Sequence, residues 1–157
     1  MIKKILLVLL ATIIIIQFIR PAKNIASPNP AQDISTVYPV PDSVHKILLK
    51  ACYDCHSDNT RYPWYSTLQP VYWWMNNHIQ EGKRHLNFDE FASQTPEKKA
   101  KWIRHIYEQV DSNEMPLDSY TWIHKDAILS NEEKATVSNW AKAIYAQIPD
   151  SLKKKKK

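Results

Sequence analysis

Both cysteines of this 157-residue chain stand in one five-residue run, Cys52-Tyr53-Asp54-Cys55-His56. The C-x-x-C-H pattern is typical of covalent attachment of a c-type haem. Two thiols three positions apart at a helix end reach the two vinyl groups of one porphyrin, and the following imidazole then lies under the iron as its proximal ligand. The motif therefore predicts one covalent haem c per chain, held by Cys52 and Cys55, with His56 on the iron.

Other uses of a cysteine pair fit the sequence less well. A thioredoxin-like dithiol should lie in a βαβ pattern, and the sequence shows none. A zinc site needs four donors, whereas Cys52, Cys55 and His56 supply three without a second cysteine pair. A disulfide across C-x-x-C closes too short a loop to restrain the unfolded chain much. Haem attachment needs no second cysteine pair, and it uses both cysteines of the chain.

Composition and charge argue against two broad classes of function. The chain has a single glycine, Gly82, whereas Gly-rich phosphate loops and dinucleotide fingerprints need several. Lys153–Lys157 supply five of the 21 basic residues, so the remainder carries 16 basic against 16 acidic groups. A protein that reads nucleic acid should carry a basic face on its folded part. We therefore expect neither a nucleotide nor a nucleic acid as a partner.

Residues 1–20 are predicted to be a signal or membrane-anchor segment. Lys3 and Lys4 precede an apolar run from Ile5 to Ile19, and Arg20 closes it. A helix of this length is shorter than the roughly 30 Å hydrocarbon core, which fits a signal-peptide core as well as a short anchor. No pair of small residues stands at the −1 and −3 positions of a cleavage site, so we predict a retained single-pass anchor over a removed signal. Basic residues before the run place the rest of the chain outside the cytoplasm.

The rest of the chain divides by composition. Residues 21–41 hold five of the ten prolines, which predicts a semi-extended tether. Residues 42–150 are predicted to be the folded, haem-binding domain. Residues 151–157 form a Lys-rich tail that we interpret as a solvated chain end.

The folded domain is predicted to be all-α. Apolar residues recur at helical spacing in four stretches, and no stretch alternates as a strand should. The second helix is expected to end near Gly82. Thr95 is a candidate cap for the third helix, and Ser130 with Glu133 forms a capping box for the fourth. The four stretches are 44–51, 71–79, 102–110 and 137–148.

The sixth position of the iron has several candidate ligands. Met115 is preferred, because a thioether is a soft ligand and Pro116 stiffens the loop between the third and fourth helices. His78 lies on the apolar face of the second helix and would give bis-His ligation. His124 follows Met115 closely and is a further candidate. An open or water-filled position is the remaining alternative.

An aromatic segment follows the cysteine motif immediately. Aromatic rings supply a large apolar area with few rotatable bonds, which suits a flat macrocycle. A stacking surface for a quinone or a sugar is the alternative interpretation. The residues are Tyr62, Trp64, Tyr65, Tyr72, Trp73 and Trp74.

These motifs together resemble the bacterial haem-binding domain family of small cytochrome c-like proteins. The matching segments are CYDCHSDNTRYPWY, QPVYWW, HIQEGKRHLNF, MPLDSY and LSNEEKATVSNWA. The resemblance covers nearly all of residues 42–148, and it implies a cytochrome c-like domain with a single haem, on the periplasmic side of the inner membrane. It also implies that Cys52 and Cys55 hold the haem, that His56 is the proximal ligand and that Met115, in an MP motif, is the distal one.

The function expected from the sequence is that of a membrane-anchored periplasmic mono-haem c-type cytochrome. Such a protein transfers electrons and transforms no substrate, so we do not expect an enzyme. Its partners would be the membrane and transiently bound redox proteins. A peroxidase-like haem enzyme with an open distal site, or a haem-based sensor of small ligands, is the alternative.

Overall fold

The computed structural model describes residues 1–27 and 29–153, and the regular structure there is helical. The predicted all-α class is confirmed for these residues, in which the only extended pairing is a single bridge between Ile25 and Asn59. Lys154–Lys157 of the predicted tail lie outside the described residues. The α-helices are α1 (Ile2–Ile16), α2 (Asp42–Ala51), α3 (Tyr53–His56), α4 (Val71–His85), α5 (Pro96–Asp111), α6 (Asp118–Thr121) and α7 (Asn131–Gln147). Short 3-10 turns occur at Pro30–Gln32, Ile34–Thr36, Trp64–Thr67, Lys125–Ala127 and Asp150–Leu152.

The core lies where α5 and α7 pack on each other and α2 packs on α7. Trp102 and Ile103 of α5, Val137 and Ala141 of α7, and Leu48 of α2 are buried there. The sequence predicts the starts of α5 and α7 correctly, as three hydrogen bonds show. The Thr95 hydroxyl accepts a hydrogen bond from the Lys98 amide, and both bonds of the Ser130 and Glu133 capping box are present.

Helix α4 is longer than its sequence predicts. The expected end near Gly82 is wrong, because the helix continues to His85. A Cβ at position 82 would lie 2.6 Å from the carbonyl oxygen of Cys55 and 3.2 Å from its Cβ. Real Cβ atoms do not come this close to a backbone oxygen, so only glycine lets α4 lie against α3 here. The glycine serves a close approach between two helices, and it does not end one.

Residues on both sides of position 28, in 21–27 and 29–41, pack against the domain, which differs from the predicted semi-extended tether. The buried Asn24 side chain donates to the carbonyl oxygen of Ser57 and to the hydroxyl of Thr60, both at 2.9 Å. Ile34 is 1% exposed, and its amide donates to the Phe88 carbonyl at 3.0 Å. These contacts satisfy polar groups and bury apolar surface that a free tether would leave in water.

Helix α1 exposes its side chains, but the residues after it contact the domain. The Gln17 side chain accepts a hydrogen bond from the Gln69 amide at 3.0 Å, and the Ile19 carbonyl accepts one from the Trp73 indole at 2.8 Å. None of the helices in the described residues combines the length and the apolar character that a membrane span requires.

The packing of residues 21–41 is tested by Ile34→Ala. Ile34 is 1% exposed, so we expect its truncation to lower the free energy of unfolding by about 2–5 kcal/mol. Ile25→Ala is the matched control: Ile25 is 61% exposed, and the expected change is within about 0.5 kcal/mol. Denaturant unfolding of both variants measures the difference. Equal, small effects would show that the segment is a tether in solution.

Candidate functional site

A cavity of about 360 Å³ opens between α3, α4, α5 and the loop that follows α5. Its volume lies in the range of small-molecule and cofactor sites. Most of its wall is apolar, and the chemically active side chains are concentrated on α3 and α4. The apolar lining includes Leu48, Leu86, Phe88, Ile106, Val110, Leu117 and Val137.

The cysteine motif forms one part of the cavity wall. Cys52 ends α2 and caps α3, and the amides of Cys55 and His56 both donate to the Cys52 carbonyl, at 3.1 and 3.0 Å. This single turn brings both thiols and the imidazole to the same cavity. Neither cysteine forms a disulfide.

Burial makes both thiols weaker acids than an exposed cysteine thiol. It raises the pKa of Cys52 and of Cys55 to about 12, with a smaller contribution from a neighbouring charge in each case. A catalytic dithiol requires the opposite shift, because the thiolate is the nucleophile. The environment of the pair therefore does not favour thioredoxin-like chemistry.

The His56 imidazole is oriented by the backbone of α4. Its Nδ1 lies 3.0 Å from the carbonyl oxygen of Leu86, the residue that caps the carboxyl end of α4. A carbonyl oxygen only accepts, so Nδ1 carries the hydrogen and Nε2 keeps its lone pair. Burial lowers the pKa of His56, which favours the neutral ring. Ligand histidines in metal sites have this arrangement, with the second nitrogen donating to a carbonyl or a carboxylate.

Two of the candidates for the sixth ligand lie in the wall of the large cavity. Met115 and His78 line the same cavity as His56. The Met115 amide donates to the Gln109 carbonyl at 3.1 Å, which folds the loop back against the end of α5. His78 Nδ1 lies 2.9 Å from the Trp74 carbonyl, so Nδ1 donates there and Nε2 is the ring nitrogen that a metal could use.

His124 is placed differently. It lines a neighbouring cavity of about 110 Å³, where its Nε2 lies 2.8 Å from the Tyr65 hydroxyl and its ring stacks on Tyr120. Although His124 is close to Met115 in the sequence, it is not among the residues that line the large cavity.

A buried carboxylate connects the motif to the opposite side of the site. Asp54 is 6% exposed, and the Arg61 guanidinium binds it with Nε at 2.9 Å and Nη2 at 3.2 Å. The Tyr120 hydroxyl donates to the same carboxylate at 2.7 Å. Burial, followed by this hydrogen bond, raises the pKa of Tyr120. The network joins α3 to α6 and leaves no unpaired charge beside the cysteines.

His105 and Gln109 of α5 also line the large cavity, and no sequence motif identifies them as site residues. They lie one position before Ile106 and Val110, so they flank the apolar stripe of α5 at helical spacing. Their position beside the stripe would identify them as lining residues once the stripe is known to border a cavity. Burial lowers the pKa of His105, which favours its neutral form.

The comparisons with known proteins give one match. Residues 11–143 match a family model described as a haem-binding domain. No curated protein and no solved structure gives a match.

The contact between α3 and α4 beside this site is tested by Gly82→Ala. Alanine in an open helix interior is favoured over glycine by about 1 kcal/mol. Here the added Cβ overlaps the Cys55 carbonyl, so we expect a net loss of about 1–3 kcal/mol in unfolding free energy. Gln80→Ala, at an exposed position of the same helix, is the control and should change stability by less than about 0.5 kcal/mol. A stabilised Gly82→Ala protein would contradict the close approach.

Proposed function

The chain belongs to the haem-binding domain family, and from this membership we propose that it is a mono-haem c-type cytochrome that transfers electrons. Cys52 and Cys55 attach the haem covalently, and His56 is the proximal ligand. The observation that carries the proposal is the meeting of both thiols and an imidazole with a free Nε2 in one cavity.

The lining of the cavity fits a haem in its chemistry. The motif supplies two thiols and one nitrogen donor from a single turn, and the remaining wall is mainly apolar, as a macrocycle requires. The Leu86 carbonyl holds the imidazole in the tautomer that a metal needs. When bound, haem supplies a one-electron couple between ferric and ferrous iron.

Met115 is the proposed distal ligand. It lines the cavity from the loop after α5, and the hydrogen bond of its amide to Gln109 supports the position of that loop. A thioether at this place favours the reduced state and raises the potential, which suits an electron carrier. His78 remains the competing ligand, because it lines the same cavity with a free Nε2.

The chain's own residues have two tasks in electron transfer. The ligands must keep their positions in both oxidation states, and the hydrogen bond from His56 to Leu86 and the bond from Met115 to Gln109 serve this. Apolar side chains such as Phe88 and Ile106 must exclude water from the site. Both tasks limit the rearrangement that accompanies a change in charge.

We propose that α1 attaches the protein to the inner membrane, with the haem domain in the periplasm. Support comes from the exposed apolar side chains of α1 and from Lys3 and Lys4 at its start. Because Gln17 and Ile19 contact the domain, the haem site is held near the attachment point. Redox partners would dock transiently, over less than about 1,200 Å².

Absorption spectra of the haem-loaded protein test the ligand set. The wild type should be low-spin in the ferric state, with the weak long-wavelength band of sulfur bound to iron. Met115→Ala should lose that band, and His78→Ala, which removes the competing ligand on α4, should keep it. Loss of the low-spin spectrum in His78→Ala alone would establish bis-His ligation. A high-spin wild type would instead favour a peroxidase-like enzyme or a ligand sensor.

A further inference from the structure

One stretch of the domain exposes large apolar side chains and contains no charged residue. No Asp, Glu, Lys or Arg occurs between Tyr62 and Gln80. We call the exposed large apolar side chains of this segment the uncharged face. It consists of Trp64, Leu68, Val71 and Trp74, which are 78%, 50%, 39% and 51% exposed.

The residues of the uncharged face come from neighbouring parts of the chain. Trp64 belongs to the 3-10 turn at Trp64–Thr67, Leu68 follows that turn, and Val71 begins α4. Val71 and Trp74 are three positions apart on α4 and line the same small cavity. All four side chains of the face therefore come from one short stretch of chain that ends in the first turn of α4.

Helix α1 leaves the domain at this face. The Gln69 side chain donates to the Ile19 carbonyl at 3.0 Å, and Arg20 Nη2 donates to the Thr67 carbonyl at 2.9 Å. Thr67 and Gln69 flank Leu68 in the chain. The apolar helix α1 and the uncharged face thus meet, and several hydrogen bonds fix their junction.

Cations stand beside the uncharged face. Arg20 donates a hydrogen bond to the Thr67 carbonyl, and the Lys23 ammonium lies 5.2 Å from the centre of the Tyr62 ring. Indole rings prefer the boundary between lipid and water, and basic side chains are drawn to anionic headgroups. An apolar patch with tryptophans, a basic margin and an attached apolar helix matches the surface of a phospholipid bilayer.

We propose that the uncharged face lies on an anionic phospholipid surface, with Trp64, Leu68 and Trp74 in the interfacial layer. This inference rests on the proposed membrane attachment and extends it, because it names the surface of the domain that contacts lipid. The domain then sits on the membrane in one orientation. His78 and Cys55 line both the haem cavity and the small cavity under the face, so the haem site would lie close to the bilayer surface.

Thiol accessibility in vesicles tests the orientation. The full chain carrying Leu68→Cys, loaded with haem, is reconstituted into vesicles of phosphatidylglycerol and phosphatidylcholine and treated with a water-soluble maleimide. The control is Ala135→Cys, at an exposed position of α7. The wild type provides the blank, since thioether-bound Cys52 and Cys55 do not react.

Lipid contact should slow the labelling of Leu68→Cys about tenfold or more relative to Ala135→Cys in vesicles, and the difference should vanish when detergent dissolves them. If the wild type sediments with the vesicles but Leu68→Cys and Ala135→Cys are labelled at equal rates, the proposed orientation of the domain is wrong. The uncharged face would then be available to a protein partner. Failure of the wild type to sediment with the vesicles would overturn the membrane attachment, and the orientation with it.

Discussion

The close contact of α3 with α4 is the constraint on which the site depends. At Gly82 the backbone of α4 comes so near the Cys55 carbonyl that a methyl group would overlap it. Because α4 is held at this distance, its end brings the Leu86 carbonyl within 3.0 Å of His56 Nδ1. One interhelical contact thus sets both the position of the cysteines and the tautomer of the imidazole. The chain uses its single glycine there.

The electrostatics of the site follow from burial and pairing. The thiols are held neutral because burial raises their pKa, and burial favours the neutral form of His56. The one carboxylate of the motif, Asp54, is paired with Arg61 and Tyr120. A large apolar group in this cavity would therefore meet no unpaired charge from the motif, while Nε2 of the imidazole remains available as a donor to metal.

Sequence patterns were informative where the signal is local. The C-x-x-C-H spacing depends on one helical turn, and α3 supplies it; the caps at Thr95 and Ser130 are read from four residues each. Signals that depend on distant contacts were missed. Gly82 resembles a helix end by propensity, but the approach of a second helix decides its role.

Three further features also depend on contacts between residues that are distant in the sequence. The prolines of residues 21–41 indicate an extended chain, yet the burial of Ile34 and the hydrogen bonds of Asn24 pack this segment on the domain. The acceptor for His56 is a backbone carbonyl 30 positions away, and no side-chain pattern reports it. His124 is close to Met115 in sequence but lines the neighbouring cavity.

Covalent attachment of haem by the motif would be visible in the mass of the denatured chain. The protein is produced with a haem c maturation system, unfolded in acid and organic solvent, and its intact mass is measured. We expect a mass larger than that of the polypeptide by one haem. A chain that sheds its haem on unfolding and shows only the polypeptide mass would contradict covalent attachment through Cys52 and Cys55.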